Sequence, residues 1–275
     1  MFFNNSNMSK NKKSNRSTKR ELRIISDSAS FGFKEAYRAL RTNLNYVIES
    51  SHCGHVIMVT SSVPAEAKSN VAVNLCISMA QENKKALLVD CDLRKGTLHR
   101  YLGVSRRQHG IVEYLDGTSK NWKDCIVHLD EFNIDFMPSG MIVDNTTELL
   151  GSSATGYLFN ELSNNYDMVI CDTPPVNAVA DTSVLSKYVD GAILVVSHNN
   201  VTRDNVLAAK AQLESTNTNI LGVILSMFDA TKTGTDNTRQ YSYYNYNYNY
   251  GSGYGYGSNS GNVGNASANS SDNDN

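Results

Sequence analysis

Three short stretches of this chain carry the side chains best suited to moving a phosphoryl group. The first spans residues 56–75, VIMVTSSVPAEAKSNVAVNL, and runs from apolar residues through a turn of small ones to Lys68 and Ser69 at the start of a helical pattern. A lysine and a hydroxyl at a strand-to-helix turn suit phosphate, because backbone N–H groups and the helix dipole point at the same anion. Residues 62–69, SVPAEAKS, align with GxxxxGK[ST], with Ser62 for the first glycine and Ala67 for the second. In such a loop Lys68 reaches the β- and γ-phosphates and Ser69 offers its hydroxyl to Mg²⁺. If Ala67 must take a positive φ, the cost is ~1–2 kcal/mol, or roughly 5–30-fold in affinity. Ala65 holds a variable position and is expected to matter less. The expected nucleotide contacts are Ser62, Ala65, Glu66, Ala67, Lys68, Ser69 and Asn70.

The second stretch is ALLVDCDLR, in which Asp90 and Asp92 end an apolar run two residues apart and so on one side of an extended chain. Paired carboxylates there suit Mg²⁺ ligation or acceptance of a hydroxyl proton. The third is MVICDTPP, where Asp172 ends another apolar run and can hold a metal's water shell. Any one of these Asp residues could simply cap the next turn. All three motifs on successive strand ends are hard to obtain by chance.

Those residues need a parallel sheet to bring them together. Apolar runs at 56–59, 86–90, 134–137, 168–172, 192–197 and 220–225 have the length of buried parallel strands. Helix-like segments lie between most of them, at 69–82, 157–162, 182–187 and 202–213, and another precedes them at 30–49. The alternation predicts an α/β fold of the P-loop NTPase type: one mostly parallel sheet with helices on both faces and ligands at the strands' carboxyl ends. The expected organisation is a basic disordered arm at 1–25, a domain at 26–230, and a disordered tail at 231–275 that is too poor in aliphatics to offset its ordering entropy.

Net charge over the 275 residues is −2, so no global basic balance argues for nucleic acid. The arm departs from that average: Lys10, Lys12, Lys13, Arg16, Lys19, Arg20 and Arg23 face only Glu21. Such an arm can lie on anionic lipid or keep a tail soluble. There is no apolar run long enough to cross a membrane and no signal-peptide pattern. Cys53, Cys76, Cys91, Cys125 and Cys171 are odd in number and scattered, which predicts free thiols in a reducing compartment.

SSVPAEAKS, ALLVDCDLRKGTLH and MVICDTPPV together resemble the bacterial tyrosine kinases (BY-kinases), cytoplasmic P-loop kinases of capsule and exopolysaccharide operons. The likeness is to the separate catalytic subunit of Gram-positive bacteria and spans about residues 30–230. It implies a Mg-ATP-dependent protein-tyrosine autokinase. Lys68, Asp90 and Asp92 would be catalytic, with Asp90 the expected proton acceptor, and Ser69, Asp90, Asp92 and Asp172 would surround the metal. Glu35, Arg38 and Arg41 match the family's ExxRxxR helix, which joins subunits into a ring; spacing of three puts them on one face. Tyr241, Tyr243, Tyr244, Tyr246, Tyr248, Tyr250, Tyr254 and Tyr256 would be phosphoacceptors in a neighbour's site.

The resemblance also implies a membrane-spanning activator that donates a cytoplasmic segment, a cognate phosphatase, and a cytoplasmic protein held at the inner face of the membrane. Four departures stand out: Ala67 for glycine, Asn70 where Thr follows Ser, Gly96 where Pro is frequent, and Asp144-Asn145-Thr146 for a Pro-bearing stretch. Two other readings compete. One is a catalytically weakened scaffold and phosphoacceptor, kept open by Ala67. The other is a ParA/MinD-like ATPase, disfavoured because Val63 stands where those proteins carry a second lysine.

Overall fold

The computed structural model describes residues 22–48, 54–105, 108–198 and 200–228. The tyrosine cluster at 241–256, the rest of the tail, most of the basic arm and Cys53 lie outside the described residues.

Seven strands form one sheet in the order β3-β4-β2-β5-β1-β6-β7. They are β1 (His55–Ser61), β2 (Ala86–Asp90), β3 (Val127–Leu129), β4 (Ile134–Met137), β5 (Met168–Asp172), β6 (Gly191–Ser197) and β7 (Ile220–Ser226). All neighbours are parallel except β3 and β4. The central strands read as unbroken apolar runs because both of their faces are covered. Alternate residues feed two cores: Val56, Met58, Leu87 and Val89 enter one, and Ile57, Val59 and Leu88 the other.

Helices cover both faces, as the alternation predicts. On the first core lie α6 (Ser153–Asn165), through Leu158, Phe159 and Leu162, and α8 (Arg203–Ser215), through Ala209 and Leu213. On the second lies α2 (Lys68–Ala80), with residues 71–80 all buried between the sheet and α1 (Phe31–Val47). A helix buried on every side fits only such an interior position, and its polar Asn74 and Ser78 are hydrogen-bonded there.

The structure adds elements that the pattern does not predict: β3, α3 (Leu98–Tyr101), α4 (Ile111–Leu115) and α5 (Thr146–Leu150). Each is too short to show a period. The expected segment 157–162 belongs to the longer α6, and 182–187 divides into α7 (Asp181–Leu185) and a 3₁₀ turn. The start of the domain also needs correction. Residues 22–25 are packed rather than part of a disordered arm: Ile25 is buried, and its N–H donates to Asn74 Oδ1 at 2.7 Å.

Candidate active site

Sheet register brings the three motifs together. Val59 pairs with Asp172 and Asp90 pairs with Asp172, so the loop after β1 and both acidic strand ends meet at the carboxyl edge. A cavity of about 580 Å³ opens there, walled by Pro64, Ala65, Ala67, Lys68, Ser69 and Asp92 among others. Its size is that of a ligand cleft.

The loop turns through two left-handed residues, Ala65 at φ 70° and Ala67 at φ 64°. The expectation for Ala67 holds. That for Ala65 does not, because it carries the same conformation and the same ~1–2 kcal/mol penalty. Ser62 and Glu66, both expected nucleotide contacts, turn their side chains toward each other. The Glu66 carboxylate is buried and turned into the scaffold, where Oε2 accepts from Ser62 Oγ (2.7 Å) and Val63 N–H (2.9 Å). Glu66 is among the residues that border the cavity, and Ser62 is not. Asn70 borders the cavity, but its side-chain amide donates to the Arg23 carbonyl at 2.9 Å.

Lys68 is the electrostatic centre. Its Nζ lies 3.2 Å from Asp172 Oδ1, 3.5 Å from Asp92 Oδ2 and 3.4 Å from Ser69 Oγ. Burial alone would lower its pKa, but Asp172, Asp92 and Asp90 outweigh that and raise it, so Lys68 is firmly cationic. Burial pushes the Asp172 carboxyl up, against the pull of Lys68 and the Ser69 hydroxyl. Asp90 is pushed well above the usual carboxylate range by burial and then by the Asp172 charge.

Asp90 is 1% exposed; Oδ1 accepts from Asp92 N–H and Oδ2 from Leu98 N–H. Asp92 lines the cavity, and Asp90 is not among the residues that do. Asp90, the expected proton acceptor, is thus the more enclosed of the two carboxylates. Among the described residues no three His, Cys, Asp or Glu side chains are grouped to hold a metal by themselves. A hydroxyl with scattered carboxylates fits Mg²⁺, which takes most of its ligands from phosphate and water.

Two features of the site were given no role by the motifs that contain them. Arg94 lines the cavity and binds Asp181 through two bonds, Nε to Oδ2 at 2.7 Å and Nη2 to Oδ1 at 3.0 Å. Thr146 and Thr147 donate to the same buried carboxylate, tying α5 and α7 to the cavity wall. Burial would raise the Asp181 pKa, but Arg94, Thr147 and Thr146 together lower it. Gly96 is explained by space, since a Cβ there would collide with Ser139 Oγ close to Asp90.

The three residues of the Glu35 helix do not act alike. Glu35 and Arg38 form an exposed pair at 3.2 Å. Arg41 instead turns toward α2, with Nη1 donating to the Ser78 carbonyl at 2.5 Å. Cys76, Cys91, Cys125 and Cys171 are free and buried. No helix among the described residues is long and apolar enough to cross a membrane.

Comparison with known proteins extends the picture. Residues 54–204 match the AAA domain family. The chain is 36% identical over 192 residues to tyrosine-protein kinase YwqD of Bacillus subtilis, covering 70% of this chain and 80% of that one. It is 34% identical to tyrosine-protein kinase etk of Escherichia coli K12, but spans only 26% of that protein's length. The solved kinase domain of the latter superimposes with a TM-score of 0.67 at 30% identity, covering 74% of this chain and 80% of the domain. The septum site-determining protein MinD of Pyrococcus horikoshii, at 22% identity and a TM-score of 0.55, shares the fold.

Proposed function

The chain belongs to the bacterial tyrosine-protein kinases, and from that membership we propose that it transfers the γ-phosphoryl group of ATP to tyrosine hydroxyls in the tails of neighbouring subunits. The observation that carries the reading is Lys68 held 3.2 Å from Asp172 and 3.5 Å from Asp92 at the foot of a cavity bounded by the start of α2. The loop amides and the helix end bind phosphate, and Lys68 exchanges part of its carboxylate contact for phosphate oxygens. Ser69, with Asp90, Asp92 and Asp172 directly or through water, would hold Mg²⁺. That ion supplies positive charge to the transferring oxygens.

In the transfer, a bond forms between the tyrosine oxygen and the γ-phosphorus, and the bond to the ADP oxygen breaks. We assign the hydroxyl proton to Asp92, whose carboxylate lines the cavity. Asp90 positions Asp92 by accepting its N–H at 3.3 Å.

The acceptors in this reading are the eight tyrosines from Tyr241 to Tyr256. Each phosphate adds a charge of about −1.5 to −2, so a modified cluster repels itself and loosens a ring of subunits joined through the exposed Glu35–Arg38 face. The system is capsule or exopolysaccharide synthesis, with a membrane-spanning activator, a cognate phosphatase, and a location at the inner face of the membrane. A second reading, a scaffold with a crippled site, draws on the two alanines at positive φ.

The test incubates the purified chain with Mg-ATP, with and without an activator's cytoplasmic segment, and reads intact mass. Gains of one or more phosphates that disappear when residues 231–275 are removed are expected. No gain in the unaltered chain, together with gain in Ala67→Gly, would establish the scaffold instead.

A further inference from the structure

Glu66 stands between the two left-handed alanines of the phosphate loop, at φ 70° and 64°. It is fully buried, and among the described residues no cation pairs with it. A buried carboxylate without a counter-charge is expensive unless donors surround it. Here they do. Oε2 accepts from Ser62 Oγ at 2.7 Å and Val63 N–H at 2.9 Å. Oε1 accepts from Ser197 N–H at 2.9 Å, with Ser197 Oγ at 3.5 Å. The main chain of the same residue is held too, since Ser226 Oγ donates to the Glu66 carbonyl at 2.7 Å.

We propose that Glu66 is a positioning residue, whose carboxylate holds the phosphate-binding loop in its working conformation at the two places where alanine replaces conformational freedom. Alanine avoids the left-handed region, so a loop with alanine at 65 and 67 relaxes out of shape unless it is tied down. The side chain ties residue 66 back to the loop's entry at 62–63 and across to the end of β6. The hydroxyl of Ser226 ties its main chain to the end of β7. The backbone amides that would face phosphate are thereby set before ligand arrives, which is where affinity is gained. Glutamine cannot replace glutamate here, because its amide nitrogen would meet a donor whichever way it turned.

This inference rests on the nucleotide reading of the cavity, and its test separates the two. Mg-ATP affinity of the full chain is measured by titration calorimetry for the unaltered protein, Glu66→Gln, the pair Ala65→Gly with Ala67→Gly, and the three changes together. Thermal midpoints are recorded alongside. Glu66→Gln is expected to weaken binding roughly tenfold or more, the loss of a charge-assisted bond. In the glycine background the same change is expected to cost less than about threefold, because the loop no longer resists its shape.

Equal losses in both backgrounds, or unaltered binding in Glu66→Gln, would overturn the positioning role while leaving the nucleotide site standing. No Mg-ATP binding by the unaltered chain would overturn both. Should Glu66→Gln fail to fold, Ser62→Ala removes one donor to the carboxylate. It is then expected to weaken binding severalfold and to be restored by the same two glycines; failure of either would overturn the proposal.

Discussion

At the scale of single residues, the site sets charge against stability. Asp90, Asp92 and Asp172 share one lysine, and Asp90 lies almost wholly out of water. Removing the Asp90 charge should relieve repulsion that the free protein carries. Asp90→Asn is therefore expected to raise the thermal midpoint without nucleotide or metal, by about 2–4 °C for each ~1 kcal/mol relieved. It should also lower phosphotyrosine formation by roughly 10–100-fold, the scale of losing a group that orients a metal-site ligand. A variant with a lower midpoint would show that Asp90's hydrogen bonds to Asp92 and Leu98 outweigh the repulsion. That Lys68, Ser69, Asp90, Asp92 and Asp172 meet at one strand edge was legible from motif spacing. The inward turn of Glu66 was not, because spacing says which residues form a loop and leaves open which way each side chain points. Arg94 with Asp181 escaped for another reason: the partners are 87 residues apart and belong to no shared pattern.

At the scale of elements, long apolar runs and long helices were legible because burial writes its period into them. The three-residue β3 and the short helices α3, α4 and α5 were not, since they depend on neighbours more than on their own pattern. The register of α1 illustrates the limit. A spacing of three puts Glu35, Arg38 and Arg41 on neighbouring turns, yet Arg41 bends over to reach α2. Arg41→Ala should destabilise the fold by ~1–3 kcal/mol, the scale of a charged hydrogen bond left unmade. Arg38→Ala should leave the midpoint within ~1 kcal/mol, as exposed ion pairs do, and shift sedimentation toward smaller species. Equal midpoint losses in the two variants would contradict this division.

The link between α5 and α7 has its own signature. The Asp181 pKa is lowered in the fold. Its contribution is therefore present above the unfolded carboxyl value of about 3.9 and is lost as pH falls through the lower folded value. Asp181→Asn should reduce stability at pH 7 and flatten the loss below pH ~4 in a pH series of unfolding midpoints. A parallel offset at every pH would count against the linkage.

For the molecule as a whole, the sheet order matters more than any one motif. With β1, β5 and β2 side by side, motifs at residues 62–69, 90–92 and 172 converge on one edge. That architecture could be foreseen from strand and helix alternation, whereas the antiparallel β3 and the packing of residues 22–25 required the folded chain. The short strap at residues 23–25 also governs how the protein can be taken apart. Asn70 and Asn74 both donate to the Arg23 carbonyl, at 2.9 and 2.8 Å, and Ile25 N–H is held by Asn74. A protease must pull a bond clear of such contacts before it can cut. Trypsin should therefore spare the bond after Arg23 while the domain is folded, although arginine invites it. Asn74→Ala removes one of the two donors to the Arg23 carbonyl and the acceptor for Ile25 N–H, and digests of this variant should yield a new amino terminus at Ile24 at least roughly tenfold faster, an opening easier by ~1.4 kcal/mol.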